Sequence, residues 1–435
     1  MLKRKIAQKL SDWKNTKDHK PLLIKGCRQC GKTFSVLNFA NQNYKYVIYI
    51  NFIEHPECVS IFSDVHDVKN IVKRLLAVSG DNASCESAHT LFIFDEIQEC
   101  CQAQAIFNLL QTDGYDVIGV SSKLDMDELK SQTVNYETVI EMLPLDFEEF
   151  LWSNGIADPV INTLKQCLKN EIPVPEALHK RMNRLLLQYT VVGGMPDIIQ
   201  TFISTHQMNI VLRKQRDLIK AYEVELCKCA DKKEQPRITE CFSSIPKQLS
   251  KANKKFQYSV IKKGAGAFQF REALRSLENA GISARCYNLS RIEQPFIDYV
   301  KQDVFKVYMR DCGLLTAMFE KVQFDLLQGN LQICHGAILE NLVADLLNKG
   351  NMKFYYFRKN TGLEADFVIS YRGKIAVLEV KPTDGNSKRT KTLLQQPEKY
   401  KVSQVIKLGN HNVTRISSQI LMLPLYMTFL LTAKC

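Results

Sequence analysis

Residues 26–33 read Gly26-Cys27-Arg28-Gln29-Cys30-Gly31-Lys32-Thr33 and fit the pattern G-x-x-x-x-G-K-[ST]. The segment lies between an apolar run at 21–25, predicted to be a strand, and a helical pattern at 32–41. The two glycines let the backbone turn its N–H groups toward phosphate, and the positive end of the following helix adds to the attraction. The segment therefore predicts a phosphate-binding loop in an α/β domain.

Individual roles within this loop follow from the chemistry of a nucleoside triphosphate. We predict that the ammonium of Lys32 bridges the β- and γ-phosphates of ATP and that the Thr33 hydroxyl takes one position around Mg²⁺. The predicted nucleotide-binding residues run from Gly26 to Phe34. Cys27 and Cys30 have C-x-x-C spacing, but no second pair completes a zinc site, so we attribute the spacing to chance.

A second acidic motif follows the apolar run at 91–94. The adjacent carboxylates of Asp95 and Glu96 lie at the end of this predicted buried strand. We predict that Asp95 holds Mg²⁺, through water, and that Glu96 polarises the attacking water, so that Lys32 and Glu96 are the catalytic residues. The strand predicted at 115–120 ends in Ser121 and Ser122, which could sense the γ-phosphate, although serine is also a usual strand-end residue.

The first two hundred residues alternate short apolar runs with helical patterns, which is typical of a parallel sheet wrapped by helices. The predicted strands are at 21–25, 46–51, 90–95 and 115–120, and the predicted helices are at 32–41, 59–78 and 101–112. The helices supply the crossovers that parallel strands require. Gly193-Gly194-Met195-Pro196 follows a helical stretch at 175–190 and marks the approach to the end of this domain.

The remaining sequence changes character twice. Residues 207–325 are rich in Lys, Leu and Ala, and short helices, including one at 268–280, precede a strand-like run at 284–289. This order predicts a winged-helix-like region, although any bundle of small helices would look much the same. From residue 354 the residue pattern has the period of two that is typical of strands. It predicts strands at 354–358, 365–370 and 374–380, after a helix at 337–348. We predict three domains, at 1–205, 206–328 and 329–435.

These motifs together resemble a known family. The loop, the segment Asp95-Glu96-Ile97-Gln98, the segment 143–151 and Gly193-Gly194-Met195-Pro196 are similar to prokaryotic AAA-type ATPases with a C-terminal nuclease-like domain, and the likeness covers nearly the whole chain. The family's Gly-Arg pair has no counterpart, because no arginine lies between Arg74 and Arg181. An arginine at the γ-phosphate would have to come from Arg28 or a neighbouring subunit, and hydrolysis could be slow.

A constellation near the C-terminus resembles the D-(x)n-E-x-K arrangement of PD-(D/E)xK nucleases, which implies a restriction-endonuclease-like α/β domain. Its members are Glu340, Asp366, Glu379 and Lys381. Residues two apart in a strand share a face, so Glu379 and Lys381 should project together, with Asp366 reaching them across a hairpin. The carboxylates of Asp366 and Glu379 could hold magnesium, and the lysine could position or deprotonate water for attack on a phosphodiester. We expect weak or conditional nuclease activity.

Composition adds little about partners. The formal net charge of +12 gives a mild bias toward polyanions, which a solvated basic surface explains equally well. The cysteines are irregularly spaced, and neither a secretory segment nor an apolar run long enough to cross a bilayer is found, so we expect a cytoplasmic protein without a membrane partner. Oligomerisation stays open.

The sequence thus predicts a Mg²⁺-dependent ATPase whose nucleotide state controls a C-terminal nuclease-like module, which could bind DNA or a protein partner. Two alternatives stay open. The first is an adaptor that binds ATP without hydrolysing it. The second is a metal-dependent DNA nuclease that is gated by ATP.

Overall fold

The computed structural model describes residues 2–62, 68–79, 86–124, 138–228, 230–319, 322–328, 335–381 and 388–431. The chain divides into two units, which we call the N-terminal unit (Arg4–Pro144 with Asn279–Gly281) and the C-terminal unit (Met1–Lys3, Leu145–Glu278 and Ile282–Cys435). The three domains expected from the sequence, with boundaries at 205 and 328, stay a prediction.

The N-terminal unit is built on a parallel sheet, as predicted. Its strands are β1 (Leu22–Lys25), β2 (Tyr46–Asn51), β3 (Thr90–Asp95), β4 (Asp116–Ser121) and β5 (Thr138–Glu141). They lie in the order β2-β3-β4-β1-β5, and every neighbouring pair is parallel. β2 and β3 have the predicted bounds. The edge strand β5 was not predicted, because its four residues are not fully buried and form no apolar run.

Helices cover both faces of this sheet. They are α1 (Ile6–Asn15), α2 (Lys32–Asn43), α3 (Val68–Ser79), α4 (Cys101–Ala105) and α5 (Phe107–Thr112), with a 3₁₀ helix at Pro56–Phe62. Alternate side chains of β3 enter different apolar clusters, Phe92 and Phe94 on one face and Leu91 and Ile93 on the other. This burial of both faces is what a parallel sheet requires. Part of the helix predicted at 59–78 falls on residues 63–67, outside the described residues.

The C-terminal unit begins with helices, most of them amphipathic. They are α6 (Phe147–Ser153), α7 (Asp158–Asn170), α8 (Glu176–Val192), α9 (Pro196–Thr205), α10 (Met208–Lys228), α11 (Gln235–Leu249), α12 (Tyr258–Ile261) and α13 (Ala267–Asn279). Later helices are α14 (Cys312–Ala317), α15 (Val322–Leu327), α16 (His335–Lys349), α17 (Lys388–Gln395) and α18 (Pro397–Tyr400). In the described part of the chain no helix is both long and apolar enough to cross a membrane.

An eight-stranded mixed sheet completes this unit. Its strands are β6 (Ser283–Leu289), β7 (Val300–Met309), β8 (Phe354–Arg358), β9 (Glu364–Tyr371), β10 (Lys374–Val380), β11 (Gln404–Gly409), β12 (Thr414–Ser417) and β13 (Ile420–Pro424), in the order β12-β13-β11-β10-β9-β8-β6-β7. β8 and β10 have the predicted bounds. Because β6 pairs with β8, one sheet joins strands from both sides of residue 328. The winged-helix-like and nuclease-like folds stay predictions.

Two of the sequence motifs meet in this unit and have structural roles. The Leu145 N–H donates to the Gly194 carbonyl over 2.7 Å, and the Gly194 N–H donates to Asp311 Oδ2 over 2.7 Å. A Cβ atom at Gly193, where φ is +77°, would lie 2.2 Å from Asp311 Oδ1. Glycines are therefore needed here by close approach.

The acidic residues of the segment 143–151 cap a helix. The N–H of Glu149 donates to Asp146 Oδ1 over 2.9 Å, and the Asp146 N–H donates to Glu149 Oε2 over 3.1 Å. This reciprocal capping box satisfies two N–H groups at the start of α6. The acidic residues of the segment 143–151 thus serve to start helix α6.

A buried ionic network lies beside these glycines. The Lys349 ammonium donates to Asp345 Oδ2 and to the Tyr189 hydroxyl, each over 2.9 Å, and lies 3.5 Å from Asp311 Oδ2. Burial raises the pKa of Asp345 to about 6, although the Lys349 charge opposes the shift. The network joins α8, through the Tyr189 hydroxyl, to α14 and α16, and its charged side chains are buried.

Candidate active site

The loop predicted to bind phosphate connects β1 to α2 and is held by the strand ends beside it. Gln29 and Gly31 have φ values of +59° and +94°, in the left-handed region. The Gly26 N–H donates to the Ser121 carbonyl over 3.2 Å, and a Cβ atom at Gly26 would lie 2.0 Å from the Met142 carbonyl oxygen. A side chain therefore cannot replace the hydrogen at Gly26 without moving the loop.

Lys32 is buried inside the loop. Its ammonium donates to the carbonyls of Gly26 over 2.9 Å and Cys27 over 2.8 Å. Those backbone acceptors hold the charge in the curve of the loop, where a phosphate oxygen could replace them as a stronger partner.

Thr33 and Asp95, predicted separately as magnesium ligands, are in contact. The Thr33 hydroxyl donates to Asp95 Oδ2 over 2.7 Å, and the Tyr49 hydroxyl donates to the same oxygen over 3.0 Å. Burial raises the pKa of Asp95, and the two hydroxyl hydrogen bonds oppose this shift. Among the described residues no three His, Cys, Asp or Glu side chains form a metal cluster. Two hard oxygen ligands nevertheless fit Mg²⁺, which usually keeps water and substrate phosphates as its other ligands.

Glu96 belongs to a network of polar side chains. Its backbone is left-handed, with φ at +52°, and its N–H donates to Asp95 Oδ1 over 2.9 Å. The Ser122 hydroxyl donates to Glu96 Oε1 over 2.9 Å, and the Gln98 amide donates to Oε2. The Ser121 hydroxyl in turn donates to Gln98 Oε1 over 3.0 Å. Both predicted sensor serines thus adjoin the predicted base, Ser122 directly and Ser121 through Gln98.

Two members of this site were missed from the sequence. Gln98 stands in the segment Asp95-Glu96-Ile97-Gln98, so a role could have been sought there. Tyr49 is a strand residue that no pattern distinguishes from a core tyrosine. It reaches Asp95 only because β2 and β3 are neighbours.

The other predicted loop residues differ in exposure. Phe34 is 62% exposed at the start of α2, whereas Cys27 and Cys30 are buried. The pKa of the Cys30 thiol is lowered to about 6 by a hydrogen bond with Cys27, and then by the charges of Lys32 and Arg4, against the effect of burial. Arg28 is half-buried in the loop.

The C-terminal constellation is only partly assembled as the sequence indicates. Lys381 Nζ lies 2.9 Å from Glu379 Oε1, so those two side chains do project together. Asp366 Oδ2 accepts the Val380 N–H over 2.9 Å. Across the same hairpin, Arg372 and Gly373 form the turn, with φ values of +50° and +74°.

Glu340 meets cations that the sequence did not indicate. Its carboxylate accepts hydrogen bonds from Lys254, from Lys306 over 3.4 Å and from the Tyr308 hydroxyl over 2.9 Å. Burial would raise the pKa of Glu340, but Lys306 and Lys254 bring it below its usual range. The carboxylate is neutralised by lysines in this arrangement, which does not fit a divalent cation. Lys254 and Lys306 lie outside the predicted nuclease-like domain, so no signal pointed to them.

Asp366 and Lys306 share this buried environment. Burial, together with the Glu340 charge, raises the pKa of Asp366 to about 7. Burial would lower the pKa of Lys306, but Glu340, Asp366 and Glu364 raise it above its usual range. The Lys306 ammonium therefore lies among three carboxyl groups, those of Glu340, Glu364 and Asp366.

Family models match three parts of the chain. Residues 18–151 match a model described as an AAA domain. Residues 183–325 and 335–427 match two models described as domains of unknown function, DUF8612 and DUF4143. The chain is also 31% identical over 132 residues to the uncharacterized protein MJ1544 of Methanocaldococcus jannaschii. That match covers 30% of this chain and 27% of the relative, so the chain spans about a quarter of the relative's length.

Solved structures give more distant likenesses. The Walker-type ATPase PABY2304 of Pyrococcus abyssi matches with a TM-score of 0.44 and 14% identity, over 73% of this chain and 96% of its own. AMPPCP-bound DnaA from Aquifex aeolicus matches with a TM-score of 0.29 and 14% identity, over 63% and 86%. The match of residues 18–151, the loop Gly26–Thr33 and the parallel sheet together identify the N-terminal unit as an AAA-type, ATPase-like P-loop domain.

Proposed function

We propose that this protein is a Mg²⁺-dependent ATPase whose nucleotide state controls how its C-terminal unit engages a partner. The hydrogen bond between the Thr33 hydroxyl and Asp95 Oδ2 carries the proposal, because its 2.7 Å length joins the phosphate loop to the acidic end of β3. Glu96 follows Asp95 directly, so a base and a metal-binding carboxylate lie at one edge of the sheet.

Each residue has a distinct task in this proposal. The loop N–H groups and Lys32 bind the phosphates, and Thr33 and Asp95 hold Mg²⁺, which when bound neutralises phosphate charge. Glu96 polarises the attacking water. The Ser122 hydroxyl and the Gln98 amide orient the Glu96 carboxylate, one at each oxygen. Held in this way, the carboxylate presents an acceptor of fixed orientation to the attacking water.

Turnover is expected to be slow in an isolated chain. The sequence has no arginine between Arg74 and Arg181, and an arginine at the γ-phosphate is worth several orders of magnitude in rate. Arg28 in the loop is one source, and a second subunit is the other. A rate per chain that rises with protein concentration would favour the second subunit.

Nucleotide binding is tested with Lys32→Ala. We expect Mg²⁺-ATP affinity to fall by at least tenfold in titration calorimetry, because the loop loses its buried cation. Lys69→Ala is the control, since Lys69 is an exposed lysine of α3 in the same unit. Equal affinities of Lys32→Ala and wild type would remove the loop as the binding site.

An ATP-binding adaptor is the second candidate function. It is favoured by the lack of any arginine between Arg74 and Arg181 in the sequence and by the hydrogen bonds that both Glu96 carboxylate oxygens already accept. Nucleotide that stays bound and unhydrolysed through purification would support the adaptor over the enzyme.

For the C-terminal unit we propose binding rather than cutting of a polyanion or a protein partner. Of the carboxylates in the nuclease-like constellation, Glu340 is already neutralised by Lys254 and Lys306, so it does not fit as a ligand for the divalent cation of an ATP-gated nuclease. Cleavage of DNA with magnesium or manganese, lost in the Asp366→Asn, Glu379→Gln double variant, would contradict this proposal.

A further inference from the structure

Residues 247–276, which we call the basic segment, concentrate positive charge in the C-terminal unit. The cations are Lys247, Lys251, Lys254, Lys255, Lys262, Lys263, Arg271 and Arg275, whereas Glu272 is the one acidic residue in this range of the sequence. The net charge of +7 in this range, eight cations less Glu272, attracts polyanions over a distance of about a Debye length.

Helix α13 presents part of this charge on one exposed stripe. Phe268, Arg271 and Arg275 have the spacing i, i+3, i+7, which places them on one face of the helix. All three side chains are exposed, and Phe268 is 94% exposed. The opposite face is packed, because Phe270, Ala273, Leu274 and Leu277 are buried.

The turn before α13 extends the stripe. Lys262 and Lys263 are exposed, and Cβ atoms at Gly264 and Gly266 would meet no heavy atom within 4 Å. A ligand backbone can therefore approach this turn closely. Lys254, from the same segment, contacts Glu340, so the basic segment extends to the buried cluster of Glu340, Lys306 and Asp366.

We propose that this surface binds single-stranded nucleic acid. Lys262, Lys263, Arg271 and Arg275 would contact backbone phosphates, and Phe268 would stack on an unpaired base. A fully exposed phenylalanine beside cations fits this ligand, because every base offers a π face and every phosphate a charge. An anionic membrane fits less well, since the stripe has one apolar side chain and the other apolar residues of α13 are buried.

The test measures fluorescence anisotropy of labelled single-stranded DNA, RNA of the same sequence and duplex DNA, with the full chain and no nucleotide. Lys262→Gln with Lys263→Gln, and Arg271→Gln with Arg275→Gln, should each lower affinity about tenfold or more. Each pair should also reduce the slope of log affinity against log salt by about 1.4, at about 0.7 per phosphate on a single strand. Phe268→Ala should lower affinity about tenfold while the slope is unchanged.

The matched control is Lys169→Gln with Lys180→Gln, which removes the same charge from exposed positions of α7 and α8. Equal losses in the control and the test pairs would overturn the site, because they would reduce it to net charge. Single-strand binding that Phe268→Ala leaves unchanged, tighter binding of duplex than of single-stranded DNA, or binding to phosphatidylserine vesicles without binding to nucleic acid, would also overturn it. Lys32→Ala should bind nucleic acid like wild type. The result for nucleic-acid binding is therefore independent of whether the loop binds ATP. Unequal affinities for DNA and RNA would identify the preferred strand, whereas equal affinities would show that the 2′-hydroxyl is not recognised.

Discussion

Gln98 is the residue whose role depends most on this structure. Its amide donates to Glu96 Oε2 and its Oε1 accepts the Ser121 hydroxyl, so it joins the proposed base to the end of β4. It contacts Glu96 rather than the nucleotide loop, which makes it a positioning residue. Its effect should therefore fall on the rate of hydrolysis and not on ATP binding.

We expect Gln98→Ala to lower kcat about tenfold, because a hydrogen bond to a charged group contributes about 1.5–3 kcal/mol. KM for ATP should change little. Steady-state phosphate release measures both constants, and Gln102→Ala, at an exposed position of α4, is the control. An unchanged kcat, or a rise in KM alone, would contradict the positioning role.

The predictions for individual residues rested on motifs that are contiguous in the sequence. Lys32, Thr33, Asp95 and Glu96 lie in short patterns with a known chemical logic, and the structure joins Thr33 to Asp95. Residues brought in from elsewhere in the chain could not be predicted this way. Lys306 reaches Glu340 from β7, and no local pattern encodes that pairing.

Among the elements, the hairpin of β9 and β10 has the most specific turn chemistry. Arg372 and Gly373 both have positive φ, which is the two-residue turn that matches strand twist. Glycine adopts this backbone freely, whereas other residues pay a steric cost of about 1–2 kcal/mol and asparagine visits it more readily than arginine.

Opposite substitutions in this turn should therefore shift stability in opposite directions. We expect Gly373→Ala to lower the free energy of unfolding by about 1 kcal/mol and Arg372→Asn to raise it by a few tenths of a kcal/mol or more. Urea unfolding followed by circular dichroism measures both changes. Shifts of the same sign would show that the turn does not limit the hairpin.

Element bounds could be predicted where apolar runs are long and bracketed by polar residues, as in β3 and β10. The strand β5 was not predicted, because Thr138–Glu141 is short and only partly buried. Pairing between strands that are distant in sequence could not be predicted for another reason. The pairing of β6 with β8 is set by packing of the whole sheet and not by local periodicity.

At the scale of the whole molecule, the buried network of Lys349, Asp345 and Asp311 should make stability depend on pH. The pKa of Asp345 is raised to about 6, mainly by burial, and its Oδ1 atom has no hydrogen-bond partner among the described residues. Between about pH 4 and pH 6 the folded chain keeps a proton that the unfolded chain has lost. The free energy of unfolding should therefore fall as pH rises through this window.

Asp345→Asn should remove this contribution, which is at most about 3 kcal/mol for a shift of about two units. The measurement is urea unfolding at intervals from pH 4 to pH 7, for the variant beside wild type. The asparagine variant should show the shallower dependence, whatever its absolute stability. Parallel curves for the two proteins would contradict the assigned shift.

The most direct test of the central claim is phosphate release from Mg²⁺-ATP by the full chain, for Glu96→Gln beside wild type. We expect Glu96→Gln to bind Mg²⁺-ATP within about twofold of wild type and to hydrolyse it at least about 100-fold more slowly, because it lacks the base. Glu99→Gln, which changes an exposed carboxylate three residues after Glu96, should turn over normally. Equal rates for Glu96→Gln and wild type would contradict the proposed ATPase mechanism.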